Sequence, residues 1–355
     1  MLEIIAIAIS LFFAMNIGAS GAAASMGVAY GAGAIKKARY ALLICAVGVI
    51  LGAVIGGGEV VKTISSGIIP NSIVTVKIVI IVLASATCSL FLANILGIPL
   101  STSEVTVGAV VGVGIAYNTL YVKSLLTIVS FWVVIPFVAF GIAVIFIKLY
   151  HKFKGTKKIG KEGKILTIIL ICAGFFEAFS AGMNNVANAV GPLVSAGLIS
   201  VSKGTWIGGI FVAIGALVLG KRVLETNGKK ITKFTKVEGI LISSTGAILV
   251  IISSIFGIPV PLTQVTSSSI LGIGIAKSGT NVFQKQVVQN MLKIWIISPL
   301  VSLSMSYGLV KLFVEDDLYT IIVLLSLLIA TIGAISLMKS SRQDQRAVHE
   351  DGGGI

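Results

Sequence analysis

"GIPLSTSEVTVGAVVGVGIA" occupies residues 97–116, and "GIPVPLTQVTSSSILGIGIA" occupies residues 257–276. Gly-Ile-Pro returns after 160 residues, and so do Val105-Thr106 as Val265-Thr266. Gly112, Gly114, Ile115 and Ala116 return as Gly272, Gly274, Ile275 and Ala276. A second, weaker pair sets "GASGAAASMGVAYGAGAI" (18–35) against "GMNNVANAVGPLVSAGLI" (182–199), at an offset of 164. There Gly18, Gly27, Gly33 and Ile35 reappear as Gly182, Gly191, Gly197 and Ile199. Two matched pairs, in the same order and at nearly one offset, predict an internal duplication. The divide is the hydrophilic stretch "HKFKGTKKIGKEGK" (151–164).

Composition says where the duplicated chain lives. Of 355 residues, 56% are hydrophobic and 11% charged, and the mean hydropathy is +1.06. Many apolar runs approach the roughly 20 residues that span a bilayer, the plainest being Leu318 to Met338, which carries no charge. The fold class expected is an all-α polytopic membrane protein. The first apolar run, Ile4 to Met15, lacks a basic segment before it and continues into more membrane sequence, so it does not read as a cleaved signal peptide. A net charge of +14 could suggest nucleic acid, but membrane proteins gather Lys and Arg in cytoplasmic loops, and no soluble basic domain is present to bind one. Cys45, Cys88 and Cys172 lie in apolar runs without metal-ligand spacing and read as small core residues. No metal site and no cofactor is expected.

Each half can cross the membrane five times, over 2–34, 39–58, 73–96, 97–117 and 124–148, then over 165–199, 203–220, 239–257, 258–276 and 284–312. Segment 318–338 adds an eleventh crossing. With the N-terminus outside, the clusters at Lys36–Arg39, Lys148–Lys164 and Lys221–Lys236 fall in the cytoplasm, as do Lys277, Lys285, Lys339, Arg342 and Arg346. Lys62, Lys77, Lys123, Lys203 and Lys311 fall outside. An odd number of crossings inverts the second half relative to the first, the architecture of many secondary transporters, whose site lies at the midplane between the halves. The chain thus divides into a first repeat (1–150), a basic cytoplasmic linker (151–164), a second repeat (165–314), an extra transmembrane helix (315–340) and a polar cytoplasmic tail (341–355).

Segments 2–34 and 165–199 exceed one straight crossing, since 33 residues reach about 50 Å. Both are crowded with Gly, Ala and Ser and are expected to break; the Gly-Ile-Pro segments are breaks too, because Pro removes a backbone donor. Broken backbone is tolerated at membrane depth only inside protein or along a watery cavity. Four breaks would surround one cavity, where half-helix N-termini bind an anion. Hydroxyls and amides gather there: Ser20, Ser101, Thr102, Ser103, Asn184, Asn185, Asn188 and Thr263. These are the expected substrate-binding residues. Ser101–Ser103 could also simply cap the helix after Pro99. No H-E-x-x-H and no helical pair of carboxylates argues for an enzyme, and a passive channel would not explain an inverted duplication.

These residues resemble the inorganic phosphate transporter (PiT) family, whose signature reads G-A-N-D-V-A-N-A-x-G-(P/T) in each inverted half. "GMNNVANAVGP" (182–192) matches at Gly182, Asn184, Val186, Ala187, Asn188, Ala189, Gly191 and Pro192. The family's P-x-S-T-T-H segment is echoed by "PLSTSE" (99–104) and faintly by "PVPLTQ" (259–264). The resemblance implies an oxyanion symporter driven by Na⁺ or H⁺, and is compatible with a homodimer. In its departures from the signature the chain resembles the family's sulfate permease branch, the CysP type of Gram-positive bacteria. The signature's aspartate is Gly21 in one copy and Asn185 in the other; its histidine is Glu104 and Gln264. Phosphate near neutral pH keeps a proton that a carboxylate can accept. Sulfate keeps none, so a facing carboxylate adds repulsion where an asparagine adds donors. The expected substrate is therefore sulfate, with phosphate, molybdate or thiosulfate as alternatives. If those aspartates instead bind Na⁺ in the family, their loss reports a change of coupling ion. Glu104 and Glu177, ionisable at membrane depth, are the expected proton carriers; Lys293 either helps hold the anion or reaches an interface.

Overall fold

The computed structural model describes residues 1–96, 100–154, 163–231, 233–320 and 322–323. Among them every regular element is helical. In chain order these are α1 (Leu2–Ile17), a π-helical turn (Gly18–Ala22), α2 (Ala23–Gly31), α3 (Ala38–Gly56), α4 (Gly58–Ser66), α5 (Val76–Leu96), α6 (Thr102–Ala116) and α7 (Val122–Lys154). Then come α8 (Lys164–Ser195), α9 (Val201–Leu219), α10 (Lys221–Glu225), a second π-helical turn (Thr226–Lys230), α11 (Lys236–Ile255), α12 (Leu262–Ser278) and α13 (Gln286–Phe313). Among the described residues seven helical stretches are long and apolar enough to cross a membrane: Leu2–Gly31, Ala38–Gly56, Val122–Tyr150, Lys164–Ser195, Val201–Leu219, Lys236–Ile255 and Val288–Phe313. α6 and α12, at 15 and 17 residues, are shorter pieces.

Met1–Ser306 forms one compact unit. α8 is its hub, packing against α1, α2, α3, α4, α9 and α11. Its residues Ser180 to Leu193 are buried on every side save none, as befits a helix without a polar face to show solvent. Small residues let its neighbours approach. A Cβ on Gly182 would fall 2.1 Å from the Val49 carbonyl oxygen of α3, and one on Gly18 would fall 1.9 Å from that of Val212 in α9. The matched glycines Gly33 and Gly197 both adopt left-handed backbone, φ +74° and +70°, closing α2 and α8. From Tyr307 onward a second unit begins; within it Lys311 pairs with Glu315, and Asp317 accepts hydrogen bonds from the Thr320 amide and hydroxyl.

Two of the four expected breaks do not occur. α8 runs unbroken for 32 residues, about 48 Å. Its glycines serve close packing rather than a break, and Pro192 stands three residues before the helix's last, Ser195, where its missing amide costs one hydrogen bond. The segment 2–34 does not open either; it continues from α1 into α2 through the single wide turn Gly18–Ala22, a π-helical insertion that keeps backbone groups paired. The break before α12 does occur, at Phe256–Pro261. The counterpart expected before α6, at Gly97, Ile98 and Pro99, lies outside the described residues. So do 155–162 of the basic linker, 324–340 of the eleventh span apart from its first residues, and the tail 341–355. Of the cysteines only Cys45 is in the core; Cys88 and Cys172 are exposed on the apolar outer surface, where a thiol is at home.

Candidate functional site

The segment ahead of α6 and the segment ahead of α12 meet, and each grips the other. Ser103 of α6 donates to the Val260 carbonyl at 3.2 Å, while Thr263 of α12 donates to the Leu100 carbonyl at 3.3 Å. Ser103 and Thr263 are matching positions of the duplication, and so are Leu100 and Val260. α8 and the π-helical turn after α1 then fasten Leu100 and Val260. The Leu100 amide donates to Ser20 Oγ at 3.3 Å and the Val260 amide to Asn184 Oδ1 at 3.0 Å. Ser20 returns a hydrogen bond to the Leu100 carbonyl at 2.8 Å. Asn184 Nδ2 also donates to Ser254 Oγ and to the Ile258 carbonyl, both at 3.0 Å. Both faces of the Asn184 carboxamide are therefore engaged in holding the second break, which binding sequence alone did not separate from anion recognition.

All eight expected substrate-binding residues are brought together or adjoin this junction, and none is more than 2% exposed. Ser101 caps α6, accepting from the Glu104 amide at 3.4 Å. Asn188 Nδ2 donates to Thr102 Oγ1 and Ser103 Oγ, each at 3.2 Å, while its Oδ1 is buried without a partner. Asn185 stands apart: among the described residues its carboxamide makes no hydrogen bond. It faces Gly21, where a Cβ would lie 2.5 Å from Asn185 Nδ2 and 3.7 Å from Thr263 Oγ1. The two positions where the family signature has aspartate thus adjoin one another across α8 and the π-helical turn. What gathers here is neutral and rich in donors: free amide N–H groups of Asn185, hydroxyls, and the first-turn N–H groups of two helices whose positive ends converge. Among the described residues no group of three or more His, Cys, Asp or Glu could hold a metal ion.

The carboxylates lie nearby in sequence but in different settings. Glu104, in the first turn of α6, accepts from Gln264 Nε2 of α12 at 2.7 Å; its other oxygen is buried without a partner. These two are again matching positions, so the duplication meets itself side chain to side chain. Glu177 of α8 is fully buried against Gly246 of α11 and accepts a hydrogen bond from the Thr266 hydroxyl, with its second oxygen unpartnered. Lys293 is exposed on α13 and is not among the assembled groups. Thr266 and Ser254 were missed as partners. The recurrence of Val-Thr at 105–106 and 265–266 marked Thr266; Ser254 carried no signal.

Residues 17–306 match the model of the phosphate transporter family. The chain belongs to the phosphate transporter family. It is 68% identical over 354 residues to the sulfate permease CysP of Bacillus subtilis, with all of both chains covered. It also resembles a solved structure, the sodium-dependent phosphate transporter, at a TM-score of 0.75 and 25% identity, over 88% of this chain and 100% of that one. Membership of this family, together with seven apolar spans, makes the chain a multi-pass membrane transporter.

Proposed function

We propose that this protein imports inorganic sulfate by symport with protons, through alternating access of two inverted repeats around the junction of α6 and α12. The observation that carries the substrate is the juxtaposition of Gly21 and Asn185: two positions where a carboxylate would repel a fully deprotonated dianion hold none, and one offers unengaged N–H donors. The 68% identical relative is a sulfate permease. Inversion is supported by reciprocity, since Ser103 with Val260 and Thr263 with Leu100 exchange roles under the duplication, as do Gly18 against α9 and Gly182 against α3. On this reading the repeats are 1–150 and 165–314, the N-terminus is outside, and the basic linker is cytoplasmic.

Sulfate would lie between Asn185, Thr102 and the first-turn amides of α6 and α12. A half-turn of the Asn188 carboxamide would let Oδ1 accept from the Thr102 hydroxyl and turn the two N–H donors toward the anion. Bringing SO₄²⁻ into a cell negative inside costs about 4.6 kcal/mol per 100 mV, twice the single-charge value. Two protons neutralise the cargo, and a third is needed to draw on the voltage. Glu104 and Glu177, each buried with one unpartnered oxygen, are the proposed carriers. Sodium-coupled phosphate transport is the second reading, favoured by the sodium dependence of the solved relative; the missing carboxylates at Gly21 and Asn185 argue against it. The experiment is uptake into sodium-free vesicles under an imposed acid-outside gradient. Glu104→Gln and Glu177→Gln should abolish accumulation, with sulfate exchange surviving in at least one. Accumulation that requires Na⁺ and ignores the pH gradient would overturn proton coupling.

A further inference from the structure

A cavity of about 600 Å³ opens between α7, α12 and α13. Its walls are aromatic, with Trp132, Phe140, Phe283 and Trp295, and its polar side chains are Glu104, Gln264 and Ser268. Phe137 and Ile296 also line it; they are 72% and 70% exposed and lie well inside the apolar spans 122–150 and 288–313. The mouth therefore faces the hydrocarbon of the bilayer rather than water. A recess for acyl chains alone would have no use for a carboxylate. Yet Glu104, 5% exposed, has one oxygen held by Gln264 and the other buried with no partner at all. A buried, half-paired carboxylate in an apolar chamber is costly until a donor reaches it, and aromatic faces add attraction for a cation.

We propose that this chamber binds lipophilic ammonium compounds, an apolar or aromatic body carrying a protonated amine, which enter from the bilayer and donate to the unpartnered oxygen of Glu104. Charge complementarity selects the amine end and the aromatic walls select the body. The site stands on the cavity and the unpaired oxygen, and holds whichever cation drives transport and whichever anion is carried.

The three tryptophans allow a direct test. Trp206 is exposed on α9, whereas Trp132 and Trp295 both line the chamber. In full-length Trp206→Phe protein in lipid nanodiscs, 3,5-dibromobenzylamine, a heavy-atom quencher protonated at pH 7, should quench fluorescence saturably. The neutral 3,5-dibromobenzyl alcohol should need at least tenfold more for the same effect. Glu104→Gln should erase that preference by weakening the amine at least tenfold and leaving the alcohol unchanged. Ser268→Leu, which narrows the chamber and keeps the carboxylate, should weaken both. Equal quenching by amine and alcohol would mean an acyl-chain recess only, and quenching that never saturates would mean partition into lipid only; either overturns the proposal in the Trp206→Phe protein alone, with no substitution in the chamber. An amine preference that persists in Glu104→Gln overturns it as well.

Discussion

Replacing Asn185 by Asp changes charge at nearly constant volume, at a side chain only 2% exposed and beside Gly21. Two unit charges about 4 Å apart repel by about 4 kcal/mol at an effective dielectric of 20. A dianion would roughly double that, less whatever the converging helix ends offset. The new carboxyl has an escape: it can take a proton. From an ordinary aspartate value near 3.9, protonation at pH 7 costs about 4 kcal/mol, which caps the penalty at roughly a thousandfold in affinity. Asn185→Ala loses only a hydrogen bond to a charged group, about 1.5–3 kcal/mol. The sign separates them. The carboxylate is charged above its pKa, so the loss in Asn185→Asp is full at neutral pH and shrinks about tenfold per unit as pH falls; the loss in Asn185→Ala does not move. Titration calorimetry with sulfate on purified protein in nanodiscs, at pH 7 and 5.5, each normalised to the unsubstituted protein, reads both. Wild-type affinity in Asn185→Asp at pH 7, or the same pH-independent loss in both variants, would mean that Asn185 does not face the anion.

Gly21→Ala places a methyl 2.5 Å from Asn185 Nδ2, and only that side chain needs to move. Sulfate affinity should fall about tenfold while thermal stability in detergent stays near that of the parent; lost folding with intact affinity would contradict the placement. Ser103→Ala and Thr263→Ala each remove one strand of the reciprocal grip, worth about 0.5–1.5 kcal/mol. Both melting temperatures should drop, Ser103→Ala the further because it also removes an acceptor of the Asn188 amide, and an unchanged melting temperature in either variant would count against a reciprocal junction.

Much of the site could be read from the chain because its recurring residues are the ones that touch. Leu100 and Ser103 match Val260 and Thr263, and these are the residues that interlock; Glu104 and Gln264 match each other, and they hydrogen-bond to each other. What could not be read were outcomes decided between helices. Gly182 looks like a breaker in a one-dimensional reading, but its missing side chain lets α3 come within backbone contact, and α8 continues unbroken through it. Three asparagines in five positions look equivalent along the chain. Around a helix Asn184 and Asn188, four apart, share the face that meets Ser103, whereas Asn185 is turned about 100° from Asn184; so Asn184 holds the break before α12, Asn188 meets α6, and Asn185 is left without a hydrogen bond among the described residues. The chamber beside Glu104 was likewise invisible, since it is formed by three helices whose apolar faces look alike in sequence.

Labelled-sulfate counterflow in proteoliposomes, with unlabelled anions in competition at symmetric pH, tests the substrate and the carrier mechanism together. Preloaded sulfate should drive transient accumulation of labelled sulfate, and equimolar phosphate should compete weakly. Phosphate displacing sulfate as well as sulfate displaces itself would contradict the donor-only site at Gly21 and Asn185, and an absence of counterflow in protein that still passes sulfate would make it a channel.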